Sequence, residues 1–172
     1  MKNILITGGA GGIGSEIVHY FENKNYNIII LDKTSKKNFK KNYTKIKKNI
    51  FYFEVDLVEI KKTEKKIQEI ISKFKKIDVL INCAGIQYIS TIENFPTNEW
   101  KKVIDINLTS SFITSKNIIP VMKQNNSGRI INISSVHGLV ASENKSAYVA
   151  SKHGLIGLTK AIALELSKTK IT

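Results

Sequence analysis

Short, nearly continuous apolar runs alternate along this chain with longer stretches in which apolar residues recur every three or four positions. The runs NILIT (3–7), NIIILD (27–32), IFYFEVD (50–56), IDVLINCAG (77–85) and RIINISS (129–135) are dense in Ile, Val, Leu and Phe. Continuity in place of alternation predicts strands buried on both faces. Between them, Ile67, Ile70, Ile71 and Phe74 fall at helical spacing, as do Trp100, Val103, Ile104 and Leu108. A last helix is expected from about Ala147 to Ser167, with Leu155, Leu158, Ile162 and Leu166 along one side. Alternating strands and helices imply parallel pairing through right-handed crossovers, hence an α/β fold with a five-stranded, doubly wound parallel sheet. Pro96 and Pro120 sit before and late within the fourth helical region, around 97–125. No internal repeat or low-complexity linker interrupts the pattern, so 1–172 reads as one domain.

Composition adds bounds. A chain of 172 residues that is 42% hydrophobic has enough apolar surface for one core and too little for two comfortable ones. MKNILITGG passes from one lysine straight into an apolar strand, unlike a signal peptide, and no apolar run reaches membrane-spanning length. Cys83, the single cysteine, cannot form an internal disulfide, which suits a reducing compartment. The expectation is a soluble, cytoplasmic protein. The net charge of +13 raises the question of nucleic acid. Against it, Arg129 is the only arginine, and Lys is enriched together with Asn and Ile. The densest run, SKKNFKKNYTKIKKN, spaces Phe39, Tyr43 and Ile46 as the stripe of an amphipathic surface helix. Neither nucleic acid nor membrane is an expected partner, and no metal-ligand set is expected.

The chemistry begins at ITGGAGGIGSEIV. This loop follows the first predicted strand and opens a helix, and it fits both G-x-G-x-x-G and T-G-x-x-x-G-x-G. Glycines there allow a sharp turn, a pyrophosphate approaching without Cβ interference, and close packing of helix on strand. The helix N-terminus offers free N–H groups to the phosphates. Asp32 ends the second predicted strand, where its carboxylate can accept from adenosine ribose hydroxyls and repel a 2′-phosphate, which points to NAD. Two alternatives stand beside this. Asp32 could cap the next helix, and Lys33 and Lys36 could partly accommodate NADP.

Tyr148 and Lys152 lie four residues apart in the last predicted helix and therefore share a face. A free tyrosine titrates near 10, so acid–base work near neutrality needs roughly 4 kcal/mol of preferential stabilisation of its anion. An adjacent ammonium supplies stabilisation of that sign. Ser135, at the end of the fifth predicted strand, could donate a hydrogen bond to a substrate oxygen as charge develops.

Taken together, TGGAGGIG, Asp56–Leu57, NCAG at 82–85, Asn107, Ser135 and YVASK at 148–152 resemble the short-chain dehydrogenase/reductase family, in order and across essentially the whole chain. The resemblance implies a Rossmann-type fold and a catalytic set of Asn107, Ser135, Tyr148 and Lys152, with Asn107 completing a proton relay through water. It implies cofactor contacts from Thr7, Gly8, Gly12, Ile13, Gly14, Asp32, Asp56, Leu57, Asn82, Ala84, Gly85, Tyr148 and Lys152. Asp56 is placed near the adenine and Asn82 near the cofactor ribose. Cys83 stands where the family often has a second Asn, and a packing role is expected for it.

Within the family, NCAGIQ and SVHGLVASENKSAYVASKHGLIGLTK resemble the 3-hydroxybutyrate dehydrogenases. That resemblance implies a small 3-hydroxy acid substrate whose carboxylate is held by Gln87, His137 and Lys145, beside Ser135 and Tyr148. It also implies a homo-oligomer, tetrameric in full-length relatives. Members of the family continue beyond the position of Thr172 with further strands and a lid, so the C-terminal part of the pattern is missing. One sheet edge and some apolar surface are then expected to be exposed. Three functions follow: an NAD-dependent 3-hydroxybutyrate dehydrogenase, an NADPH-dependent 3-oxoacyl-carrier-protein reductase, or a non-catalytic nucleotide-binding fragment.

Overall fold

A computed structural model describes residues 1–43 and 47–172, apart from the side chain of Asn42. The strands are β1 (Lys2–Thr7), β2 (Tyr26–Asp32), β3 (Ile50–Glu54), β4 (Val79–Asn82) and β5 (Arg129–Asn132). They form one parallel sheet in the order β3-β2-β1-β4-β5. This is the predicted doubly wound topology, with the order reversing between β1 and β4. Ligand crevices in such sheets open at that reversal, beyond the carboxyl ends of the strands.

The helices are α1 (Gly12–Phe21), α2 (Lys36–Asn42), α3 (Ile60–Phe74), α4 (Thr97–Ile104), α5 (Ser110–Gln124) and α6 (Ser146–Glu165). Period-two alternation along the strands sends side chains to two cores. Ile4, Ile6, Ile28 and Ile30 pack with Val18 of α1 and with Phe39 and Tyr43 at α2. Leu5, Ile29, Leu31 and Leu80 pack on the other face with Ile67 and Ile70 of α3, and Ile113 and Ile118 of α5. Each fully buried isoleucine of α3 contributes about 1.5–3 kcal/mol. Phe39 and Tyr43 are buried while Lys36, Lys37, Lys40 and Lys41 are exposed, so the lysine-rich run forms an amphipathic helix. Ile46, its third apolar position, lies outside the described residues.

The structure departs from the predicted pattern in three places. The expected strands 50–56, 77–85 and 129–135 stop at 54, 82 and 132, which leaves Asp56, Ala84, Gly85 and Ser135 on loops beyond the strand ends. The helical region 97–124 is interrupted by a turn of π-helix at Asp105–Thr109. β5 was expected to be buried on both faces, yet only alternate residues are partly covered, and Ile131 is 40% exposed. Ile131 lies in register with Ile81 and so on the α1–α2 face of the sheet. Among the described residues, the outer edge of β5 is paired only at its start, where Ile130 N–H donates to Thr172 O and Thr172 N–H to Gly128 O. Among the described residues, no helix is long and apolar enough to cross a membrane.

Candidate active site

A cleft of about 510 Å³ lies across the carboxyl ends of β1 to β4, within the size range of small-molecule sites. Its floor is the glycine loop. Gly8 turns the chain with φ +71°, donates its N–H to Leu31 O at 3.0 Å, and accepts from Gly11 N–H at 3.1 Å. A Cβ on Gly14 would lie 2.1 Å from Gly8 O, whereas a Cβ on Gly12 would meet nothing within 4 Å. Gly14 therefore serves packing, and Gly12 leaves space for a ligand. Gly11 precedes α1 without a side chain to cap its first turn, so that turn's amides are available to an anion. Ile13, 63% exposed, lines the same cleft. From beneath, Tyr43 Oη donates to Gly9 O at 3.0 Å. Burial pushes the Tyr43 hydroxyl up to about 12, so it remains a donor at physiological pH.

Asp32 enters at the end of β2, only 8% exposed. Its Oδ2 accepts from Ala10 N–H at 3.0 Å and its Oδ1 from Thr34 N–H at 2.8 Å. It does not cap α2; that is done by Ser35, whose Oγ accepts from Asn38 N–H. Lys33 also lines the cleft. On the loop after β3, Asp56 Oδ1 accepts from Val58 N–H at 3.2 Å and Leu57 is 7% exposed; both line the cleft.

Beyond β4 the residues are held by polar side chains. Thr7 Oγ1 accepts from the N–H groups of Cys83 and Ala84 at 3.1 and 3.2 Å. Asn82, 2% exposed, is committed to a buried ladder: its Nδ2 donates to Asn132 Oδ1, and its Oδ1 accepts from Thr114 Oγ1. Asn132 in turn donates to Thr159 of α6. Asn107 lies within the π turn and is fully buried. Its Oδ1 accepts from Ile86 N–H at 2.8 Å, and its Nδ2 donates to Ile86 O and Ser151 Oγ. That side chain ties the loop after β4 to α6, and Ser151 passes the link to Tyr148 O. Gly85 fills the space between: a Cβ there would be 3.6 Å from both Asn107 Oδ1 and Lys152 Nζ.

On α6, Lys152 Nζ lies 5.6 Å from the centroid of the Tyr148 ring, so the two share a face as their spacing requires. Lys152 is 4% exposed and donates to Ile133 O at 2.8 Å. Burial holds its ammonium below the ordinary lysine value, with Cys83 pulling the other way. Ser135 has extended backbone just before a short 3-10 turn, Val136–Gly138. This segment packs against α6: Ser134 Oγ donates to Lys152 O, and the His137 ring meets the Tyr148 ring edge-on at 5.9 Å between centroids. Gln87 is exposed, Lys145 is half-buried immediately before α6, and among the described residues neither hydrogen-bonds Ser135 or His137. The residues that the sequence did not flag, Tyr43, Thr114, Asn132 and Ser151, all support flagged ones. Each is a common polar type whose partner lies far along the chain.

Cys83 lines the cleft, and burial pushes its thiol above the ordinary cysteine value, partly offset by Lys152. Alkylation by iodoacetamide should therefore be slow at neutral pH. Its rate should rise with a midpoint above that of a free thiol, about 8.5. A midpoint below that value would show Lys152 outweighing burial.

A model of the family described as short chain dehydrogenase matches residues 2–172. The D-beta-hydroxybutyrate dehydrogenase of Cupriavidus necator is 41% identical over 99% of this chain and 67% of its own length. The 3-oxoacyl-acyl-carrier-protein reductase FabG of Buchnera aphidicola subsp. Schizaphis graminum is 39% identical over 99% of this chain and 70% of its own length. Among solved structures, a 4-hydroxyisoleucine dehydrogenase complexed with NADH superposes with a TM-score of 0.89 at 34% identity, covering 99% of this chain and 72% of that one. The chain thus spans about two thirds of the length of the curated relatives it matches.

Proposed function

Because this chain belongs to the short-chain dehydrogenase family, we propose that it is an NAD-dependent oxidoreductase interconverting (R)-3-hydroxybutyrate and acetoacetate. The observation that carries the reading is the placement of Tyr148 and Lys152 on one face of α6, joined through Asn107 and Gly85 to the cleft above the glycine loop. The cleft fits a dinucleotide: Gly12 leaves room for a pyrophosphate, the first turn of α1 supplies uncapped amides, and Asp32 offers a carboxylate at the adenosine end.

In the oxidative direction, Tyr148 Oη takes the substrate hydroxyl proton as the C3 hydrogen departs with its electron pair. The nicotinamide ring, when bound, supplies the acceptor for that pair. Lys152 has three N–H donors, one of which goes to Ile133 O. The other two serve the nicotinamide ribose and the water leading to Asn107, while the ammonium charge beside the ring stabilises the anion at the Tyr148 oxygen. Ser135 donates to the reacting oxygen. Asn107 holds the loop after β4 against α6 and extends the proton path from Lys152 through water. Asp56 and Leu57 border the adenine, and the Asn82–Gly85 segment borders the nicotinamide ribose. Gln87 and Lys145 are assigned to the substrate carboxylate, with His137 the third candidate.

The test is NADH absorbance on mixing chain, NAD and (R)-3-hydroxybutyrate, set against NADPH oxidation with acetoacetyl carrier protein. Faster turnover in the second assay would move the function to the reductase. The similar identities to relatives of both names keep that reading as the alternative, while Asp32 in the cleft favours NAD. NAD binding without turnover in either assay would leave a nucleotide-binding fragment.

Asp32→Ala separates the cofactors. Two backbone donors lose a buried charged acceptor, so stability should fall by about 1–3 kcal/mol. The ratio of NAD to NADP affinity, measured by calorimetry, should fall with it. An unchanged ratio would contradict the assignment of NAD.

A further inference from the structure

The peptide unit joining Gly9 to Ala10 is held at both ends. Its carbonyl oxygen accepts from Tyr43 Oη at 3.0 Å, and its N–H donates to Asp32 Oδ2, also at 3.0 Å. A trans peptide is planar and its C=O and N–H point in opposite directions, so two fixed partners on opposite sides set the rotation of the whole plane. Tyr43, just after α2, is 5% exposed, and its ring packs on those of Phe39 and His19 at 4.4 and 5.2 Å between centroids. Asp32 is anchored a second time by Thr34 N–H. We propose that Tyr43 is a positioning residue for the dinucleotide: with Asp32 it clamps the Gly9–Ala10 peptide, so that the glycine loop has its phosphate-binding shape before the ligand arrives.

The need for a clamp follows from the loop's composition. Five of the seven residues from Gly8 to Gly14 are glycine, which opens room for a pyrophosphate and also admits many backbone conformations that do not bind one. Contacts inside the protein remove those alternatives. Gly8 N–H is committed to Leu31 O, Gly11 N–H to Gly8 O and Ala10 N–H to Asp32. The amides of Gly12 and Ile13, in the uncapped first turn of α1, are left for the phosphates. Gly9 is buried, and a Cβ there would lie 2.7 Å from Ile30 Cγ2, so this peptide rests directly on the sheet. Without the Tyr43 hydroxyl, Gly9 O would lose its donor, and turning it toward water would rotate Ala10 N–H off Asp32. A ligand then binds only the fraction of chains whose loop has the right shape, and its apparent affinity falls by that fraction.

This rests on the reading of the cleft as a dinucleotide site, and one arm of the test needs no ligand. In the free parent chain, hydrogen exchange followed by NMR should show the Ala10 amide better protected than those of Gly12 and Ile13. Tyr43→Phe keeps the packed ring and removes only the oxygen. In that variant the Ala10 amide should exchange about tenfold faster, while Ile29 and Ile30 in β2 keep their protection. By calorimetry, NAD and NADP should each bind the variant about tenfold more weakly, the scale of one hydrogen bond. Their affinity ratio should stay the same, because the clamp shapes the loop that meets the pyrophosphate common to both. In turnover, KM for NAD should rise by a similar factor with kcat within about twofold. An Ala10 amide in the parent that exchanges as fast as that of Gly12, unaltered affinities in Tyr43→Phe, a changed ratio, or a loss confined to kcat would overturn the proposal. A parent that binds neither nucleotide refutes the cofactor reading, and the exchange rates then decide whether Tyr43 holds the loop.

Discussion

Replacing Tyr148 with Phe is expected to lower turnover by about a thousandfold, the middle of the range for a lost general acid–base, while NAD affinity stays within about twofold. The substitution keeps the ring that packs against His137 and beside Lys152, so little besides the oxygen is removed. Lys152 keeps its bond to Ile133 O, so the hold on a ribose proposed for it should be unaffected. Steady-state kinetics give the first quantity and calorimetry the second. Equal loss of binding and turnover would mean that Tyr148 builds the cleft and performs no proton transfer.

The second large effect belongs to Gly14. A methyl group there would press within 2.1 Å of Gly8 O and 2.8 Å of Gly9 Cα, and backbone on both sides of the contact leaves no flexible side chain to move aside. Gly14→Ala should cost about 1–3 kcal/mol or more as overpacking. Because the strain is relieved only by reshaping the loop, it should also abolish measurable NAD binding. Gly12→Ala is the matched control. Its methyl enters open space, so the melting temperature should hold, yet NAD affinity should fall because the methyl occupies the pyrophosphate's approach. Thermal melts and titrations of both variants check the pair. If Gly14→Ala binds NAD normally, the turn does not have the role given to it.

The features legible in the sequence are those whose causes are local. The glycine loop, Asp32 at a strand end and the four-residue spacing of Tyr148 and Lys152 need only one strand, one turn and one helix. The parallel, doubly wound sheet followed from strand–helix alternation and chirality, while the strand order came from the structure. The π turn at Asp105–Thr109 was not legible, because the run from Trp100 to Leu108 satisfies helical periodicity as well as an interrupted helix does. Yet that turn holds Asn107 on Ile86 and Ser151, and π turns recur at functional sites. Long-range polar partners were equally hidden. Asn82 was expected near a ribose, whereas its side chain is bound to Asn132 and Thr114, so its contribution to the cleft passes through the backbone that follows it. Tyr43 read as one apolar position of a surface helix, although its hydroxyl supports Gly9. β5 read as buried because its residues are apolar; burial depended on a covering layer that lies outside the strand's own sequence.

The proposed reaction moves a hydride between C3 of a small hydroxy acid and a nicotinamide ring, with Tyr148 handling the proton. The most direct measurement uses (R)-3-hydroxybutyrate deuterated at C3, with mass spectrometry of the NADH formed. The account predicts deuterium on the nicotinamide ring of that NADH with the parent chain, and almost none formed by Tyr148→Phe. NADH that carries no deuterium, or equal yields from the two chains, would contradict it.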